Sequence, residues 1–302
     1  MSPHSQLARL FRSIRWADVL ILEGVPTLGL AFAIGPITAG KLTASIFFGI
    51  ASFLLLAHIF TLNDWADFTR GIHHSNRAML QLESSNIAPR LLLIFSYLLL
   101  AASFLSFLFL PASCLLFAFV IAALGVFYSH PSLNAKSIPI VSTFLHLVGG
   151  LLHFLLGYTL FSAIDRRGVL IGLFFGITFA AGHPVQEVRD FDEDRRVGAG
   201  TNAVVFGPRP SFFAGVILFT VQYVYLFVLG WSGLVLPWVA FLPIAFYPIH
   251  ILWSVLALRS GLTHESITRF QNRYRILYAL IGLALLLSVF LSYKFNAAWN
   301  SP

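Results

Sequence analysis

Apolar stretches about as long as a bilayer is thick recur along this chain and leave it few folds to choose from. A helix needs about 20 apolar residues to cross the hydrocarbon core. Segments of that order run at 17–39, 42–62, 88–110, 112–128, 138–162, 169–188, 211–229, 234–258 and 276–293. Turn formers separate several of them: Gly40 and Lys41, then Pro111, then Gly207-Pro208-Arg209-Pro210. Only 10% of the 302 residues are charged, against roughly 25% in a soluble domain. No hydrophilic block is long enough to fold alone. The expectation is an all-α integral membrane protein, a single domain over 1–302 with about nine transmembrane helices. The first apolar stretch is too long for a cleavable leader. The lone Cys114 lies in an apolar run and reads as packing; one cysteine excludes a disulfide framework.

Basic residues fix an expected orientation. Nine spans put Arg9, Arg12, Arg15, Arg70, Arg77, Arg90, Lys136, Arg189, Arg195, Arg196, Arg209, Arg259, Arg269, Arg273 and Arg275 on one side. Of the 19 Lys and Arg, only Lys41, Arg166, Arg167 and Lys294 fall on the other. Excess Lys and Arg marks the cytoplasmic loops, so the N-terminus is expected in the cytoplasm and the C-terminus on the opposite side. The net charge of +7 is met by anionic headgroups of membrane lipids and calls for no nucleic acid.

Acidic residues are scarce, and seven of the 12 sit in two short stretches. One holds Asn63, Asp64, Asp67 and Arg70 at the end of the second span. The other holds Glu187, Asp190, Asp192, Glu193 and Asp194 at the end of the sixth. Both emerge on the side expected to be cytoplasmic. Asn63 and Asp67 stand at i and i+4, and Glu187, Asp190 and Asp194 at i, i+3 and i+7, so each set shares a helix face. Asp192 points elsewhere, with Arg189 and Arg196 at i−3 and i+4, and reads as part of a salt-bridged outer face. Oxygen ligands without Cys or His favour a hard cation such as Mg²⁺, which takes one or two carboxylates and completes its shell with substrate phosphates. Two facing carboxylate patches are therefore suited to grip a diphosphate.

These stretches resemble the signatures of the UbiA superfamily of intramembrane prenyltransferases. Asn63, Asp64 and Asp67 match the first three fixed positions of its Asn-Asp-x-x-Asp-x-x-x-Asp motif, and Gly71 stands where the fourth would be. Asn76-Arg77-Ala78 is similar to its Asn-Arg-Pro. Asp190, Asp194, Gly198 and Thr201 match Asp-x-x-x-Asp-x-x-x-Gly-x-x-Thr, followed by Gly207. The run Tyr128 to Lys136 is similar to its Tyr-Ser-x-Pro-Pro-Leu-x-x-Lys loop. The resemblance implies a helical bundle around a central cavity open to lipid. It implies a prenyl diphosphate donor, a lipophilic acceptor and Mg²⁺ as cofactor. By position, Asn63, Asp67, Asp190 and Asp194 would be metal residues, with Asp64 and Glu187 as helpers. Arg70, Arg77 and Lys136, together with Asn63, would meet the diphosphate, and Tyr128 would lie near the reacting carbon.

Ionisation of an allylic diphosphate would leave negative charge on the leaving group, for cations to stabilise. The carbocation would be shielded by ring faces such as Phe127, Tyr128 and Trp65, each worth about 0.5–2 kcal/mol. A terpene cyclase with no external acceptor is the alternative, and a cation or phosphate transporter a more distant third. Glu23, inside the first span, either orients an acceptor or pairs with a nearby arginine. His146, His153 and His183 read as satisfied buried histidines, and His73-His74 as loop residues. The segment Ser260 to Tyr274 reads as an interfacial helix over the site or as a connecting loop.

Overall fold

The apolar segments fold as helices, in a computed structural model that describes residues 3–71 and 87–299. A short amphipathic helix, α1 (Pro3–Ser13), precedes α2 (Trp16–Ala33), α3 (Ala39–Thr69), α4 (Pro89–Phe107) and α5 (Ala112–Ser129). A 3₁₀ turn at Ala135–Ser137 leads to α6 (Val141–Tyr158) and α7 (Arg166–Arg189). Two short helices, α8 (Phe191–Arg196) and α9 (Asn202–Phe206), join α7 to α10 (Pro208–Trp231). A second 3₁₀ turn leads into α11 (Phe241–Arg259), and α12 (His264–Trp299) ends the fold. Among the described residues nine of these, α2 to α7 and α10 to α12, are long and apolar enough to cross a bilayer. The chain is a multi-pass integral membrane protein, with large apolar side chains such as Leu20, Phe109, Leu116 and Trp231 on its outer surface. Cys114 is buried and free, as its apolar run implied.

Two elements differ from their sequence outline. The second span continues past residue 62 to Thr69, so α3 has 31 residues. At 1.5 Å per residue that is about 46 Å, well beyond a core of about 30 Å. Its last turns, which carry Asn63 to Asp67, therefore stand on a continuous helix. At its end Gly71 (φ 68°) adopts the left-handed conformation, and its N–H donates to Phe68 O at 3.2 Å; glycine takes this helix-ending geometry without strain. The other difference is at the C-terminus. The segment after Ser260 is neither a separate interfacial helix nor a loop beyond Thr263. It turns at Gly261 and Leu262 and then runs unbroken from His264 into the last span.

Lipid offers no hydrophobic drive for helices to associate, so close packing of small residues holds them together. The centre of the bundle shows it. A Cβ on Gly150 of α6 would lie 2.6 Å from Phe175 O of α7. Gly29 of α2 and Gly157 of α6 each face the other's backbone, at Phe154 O and Pro26 O. Phe154 stacks on Phe175 with centroids 5.2 Å apart, in a cluster with Tyr223, Ile281 and Leu285. These crossings bring the ends of α3, α5 and α7 to one end of the bundle.

Candidate active site

The first acidic stretch is held by side chains from three places in the chain. Asn63 Nδ2 donates to Asp67 Oδ2 at 3.1 Å across one turn of α3. Lys136, from the turn after α5, donates to Asn63 Oδ1 at 3.0 Å and forms an ion pair with Asp67. Ser129 adds a hydroxyl to Asn63 Oδ1 at 3.3 Å. Burial pushes the Lys136 ammonium down from its ordinary value, and Asp67 opposes the shift. Asp64, one residue along, faces another way. Both its oxygens take the Arg15 guanidinium, one from Nε at 3.1 Å and the other from a terminal nitrogen. Burial lowers the Arg15 pKa, but Asp64, helped by Asp18 and Asp67, leaves the guanidinium above its ordinary value. In this arrangement Asp64 anchors the segment between α1 and α2 through Arg15.

The Lys136 turn is set by backbone geometry. Asn134 is left-handed (φ 47°), and its side-chain oxygen accepts from Arg70 and, at 3.2 Å, from Ser137 Oγ. Arg70 also donates to Pro131 O at 3.2 Å. Arg70, expected at the diphosphate, thus ties the end of α3 to the Lys136 loop, within reach of the Asp67 charge. Arg77, with His73, His74, Asn76 and Ala78, lies outside the described residues.

The second stretch breaks at Asp190, between α7 and α8. Asp190 accepts from Arg189 through both oxygens, at 2.7 and 2.6 Å. Arg189 in turn donates to Gln271 Oε1 of α12 at 3.0 Å. The early turns of α12 therefore brace this edge. The expected Asp192–Arg189–Arg196 trio is not formed: Arg189 turns to Asp190, Arg196 pairs with Glu193 at 2.6 Å, and Asp192 is exposed. The short, broken helix is the reason, because a change of direction at Asp190 removes the regular spacing on which the trio depended. Asp194 is buried, and its carboxyl is pushed up to about 7. Burial is the main cause, followed by the charge of Asp190, with Glu187 and Asp67 adding to it. Gly198 (φ 70°) ends α8 and turns the chain back. A Cβ at Gly200 would meet Ser137 O at 2.7 Å, so glycine lets this loop lie directly against the Lys136 turn.

Glu187 is buried and held by neutral donors. Asn202 Nδ2 reaches Oε2 at 2.8 Å and Ser142 Oγ reaches Oε1 at 3.3 Å. Asn202 also receives the Ile140 N–H at 2.7 Å. Neither Asn202 nor Arg15 stood out in the sequence. Asn202 follows the matched Thr201, but nothing in its own spacing points to Glu187, 15 residues away. Arg15 registered only as a topological charge.

Tyr128 lies between the two edges, within electrostatic reach of Glu187, Asp67, Asp194 and Asp190. Two histidines adjoin it. The rings of His146 and His183 are 3.8 Å apart, centroid to centroid, and Tyr128 is 5.2 Å from the first and 6.3 Å from the second. His146 Nδ1–H donates to Ser142 O at 2.8 Å, and His153 Nδ1–H to Gly149 O at 2.7 Å. His183 departs from expectation. It is buried, neither ring nitrogen has a hydrogen-bond partner among the described residues, and Nδ1 stands 3.6 Å from Glu187 Oε1. Glu23 meets Ser52 Oγ of α3 at 2.9 Å, with no arginine paired to it among the described residues.

Among the described residues no three His, Cys, Asp or Glu side chains converge into a self-sufficient metal cage. Mg²⁺ needs no such cage, since it commonly shares its shell with substrate phosphates. The second edge fits such an ion: Glu187 and Asp194 are buried carboxylates, and among the described residues no Lys or Arg pairs with either.

Comparisons with known proteins agree with this architecture. A structure of a UbiA homolog from Archaeoglobus fulgidus bound to GPP and Mg²⁺ superposes with a TM-score of 0.71 at 16% identity, covering 95% of this chain and 99% of that one. A structure of digeranylgeranylglyceryl phosphate synthase in membranes gives 0.69 at 17% identity, covering 94% and 98%. The apo structure of a UbiA homolog from Aeropyrum pernix K1 gives 0.64 at 17%, covering 94% and 99%. At these identities the likeness is one of fold. No curated protein matches the sequence. The profile of the UbiA prenyltransferase family does match it, over residues 24–276. With that match spanning the bundle from α2 into α12, and both acidic edges inside it, the chain belongs to the UbiA prenyltransferase family.

Proposed function

We propose that this protein is a Mg²⁺-dependent prenyltransferase that ionises an isoprenyl diphosphate and passes the prenyl group to a lipophilic acceptor. One observation carries the reading: two acidic helix ends come together at one end of the bundle, with Tyr128 within reach of both and Lys136 paired to the first. The diphosphate is received between Asn63, Asp67 and Lys136 on one edge and Glu187, Asp190 and Asp194 on the other. Arg70 adds positive charge nearby, and the family resemblance gives Arg77 the same role. Bound Mg²⁺ would neutralise charge on the departing diphosphate. The chain's own part is to hold the leaving group in place, to keep water from the allylic carbon and to present Tyr128 to the cation. Family members of this fold bound to GPP or DMAPP with Mg²⁺ support the donor class. The excess of basic residues at the acidic end supports a cytoplasmic position for the site and the N-terminus.

A cyclase would use the same site without an acceptor. The buried His183 ring, neither of whose nitrogens has a hydrogen-bond partner among the described residues, is placed to take the proton that either reaction releases. The experiment is a screen of prenyl diphosphates against phenolic, indolic and lipid-alcohol acceptors, read by mass spectrometry. Asp67→Ala and Asp190→Ala are expected to abolish diphosphate release while the protein stays folded. Full activity in both variants refutes the site. Terpene products formed without acceptor refute the transfer.

A further inference from the structure

Histidines give α6 and α7 a polar seam inside an otherwise apolar bundle. His146, Gly149 and His153 stand at i, i+3 and i+7 on α6 and share one face. That face meets rings of the neighbouring helices: His146 lies against Tyr128 of α5 and His183 of α7, and His153 against Phe179 of α7. Each of the two α6 histidines has its Nδ1 at a backbone carbonyl one turn back. A carbonyl only accepts, so Nδ1 carries the proton and Nε2 of the neutral ring is left as a bare acceptor. His153 Nε2 is buried and has no hydrogen-bond partner among the described residues. His146 is partly exposed, and its Nε2 has no partner among the described residues either. Between the two, a Cβ on Gly149 would meet nothing within 4 Å, although Gly150 beside it is closed against α7. The seam therefore pairs open acceptor nitrogens with room next to them.

The three helices that form the seam bring no formal charge to it. α5 and α6 contain no Asp, Glu, Lys or Arg, and α7 has none between Arg167 and Glu187. A carboxylate or phosphate carried here would lose its hydration and gain no cation from these helices. A neutral ring with an O–H or N–H would instead supply the donor that an open Nε2 lacks, and its apolar body would lie among aromatic side chains. We infer that the prenyl acceptor is a neutral aromatic bearing a hydroxyl or N–H, that it lies over Gly149, and that His146 selects it by accepting that hydrogen. Of the α6 histidines, His146 is the partly exposed one, and it adjoins Tyr128, the ring within reach of both acidic edges. The inference rests on the prenyltransferase reading given above and names the acceptor class for it.

The test is calorimetric binding to the full chain in detergent, with Mg²⁺ and a non-ionising thiolodiphosphate analogue of GPP already bound. The probes are 1-naphthol, its methyl ether, 1-hydroxy-2-naphthoate and 1-naphthyl phosphate. Both anionic probes are expected to bind at least about tenfold more weakly than 1-naphthol. His146→Phe is expected to weaken 1-naphthol by about five- to tenfold and to leave the methyl ether, which has no hydrogen to give, unchanged. His146→Gln keeps an acceptor oxygen and is expected to recover part of that loss. Gly149→Leu, which fills the space, is expected to lose 1-naphthol and the ether alike while the GPP analogue still binds. Anionic probes that bind as tightly as 1-naphthol would overturn the inference. So would unchanged 1-naphthol binding in folded His146→Phe or Gly149→Leu, or no binding of 1-naphthol to the wild type. Failure of the GPP analogue itself to bind with Mg²⁺ would instead remove the prenyltransferase reading, an outcome seen before any probe is added. A thermal melt of each variant establishes that it is folded.

Discussion

Asp194 shows how much a single side chain here depends on what lies opposite it. Its carboxyl is raised to about 7 by burial and by the charges of Asp190, Glu187 and Asp67. A carboxyl raised on folding favours the native state while protonated, below about pH 4. That advantage fades as the pH climbs through about 7, where the folded protein must carry the charge. In chelator-treated protein, Asp194→Asn is therefore expected to melt higher than wild type at pH 8, by about 1–3 kcal/mol, and about equally at pH 4. The same variant is expected to lose Mg²⁺-dependent turnover. Thermal melts at the two pH values check the first point, and a lower melt at pH 8 would contradict the electrostatic account. Ionising so buried a carboxyl costs the folded protein stability. The residues that sequence motifs identified in this region, Asn63, Asp67, Lys136 and Asp194, do come together. Asp64 and Arg70 matched by position, yet they are engaged with Arg15 and Asn134. A motif fixes which residues are present, and only the fold decides which partner reaches each one first.

At the scale of elements, the spans themselves were legible because lipid imposes a length on every helix that crosses it. The errors came where a helix leaves the bilayer and hydropathy stops. Asn63 to Thr69 is polar and lay outside the outlined second span, yet its turns continue α3 without a break. The same holds for His264 to Arg275, which form the first turns of α12 and brace Arg189 through Gln271. Neither extension has an apolar face long enough to announce itself. The glycines of α6 make a sharper test of packing. Gly157 lies against the Pro26 carbonyl of α2, whereas a Cβ on Gly149 would meet nothing within 4 Å. Gly157→Ala is expected to force α2 and α6 apart and to cost about 1–3 kcal/mol in a detergent melt. Gly149→Ala is expected to be neutral or mildly stabilising, since alanine is the better helix former. Equal effects at the two sites would mean that close helix approach does not hold this crossing.

For the whole molecule, the charge asymmetry proposes one orientation, and labelling can test it. Cys114 is buried, so the native chain gives little background to a membrane-impermeant maleimide. Ser132 and Ser232 are exposed, in the loops after α5 and after α10. Ser232→Cys is expected to label in intact cells, and Ser132→Cys only once the cytoplasmic face is opened. The reverse pattern would invert the molecule and put the site outside. The sequence by itself determined the number of spans and their class, because bilayer thickness and the cost of burying charge act on each segment separately. It also placed both acidic stretches at one end, which follows from counting spans. What it left open was the state of each charge within that end. Whether Asp67 meets a lysine, Asp64 an arginine and Glu187 an asparagine depends on side chains 69, 49 and 15 residues away. No local rule of periodicity or propensity reaches that far. The two edges look alike as motifs, and only tertiary packing gave Asp64 and Asp67 their basic partners while Glu187 and Asp194 have none among the described residues.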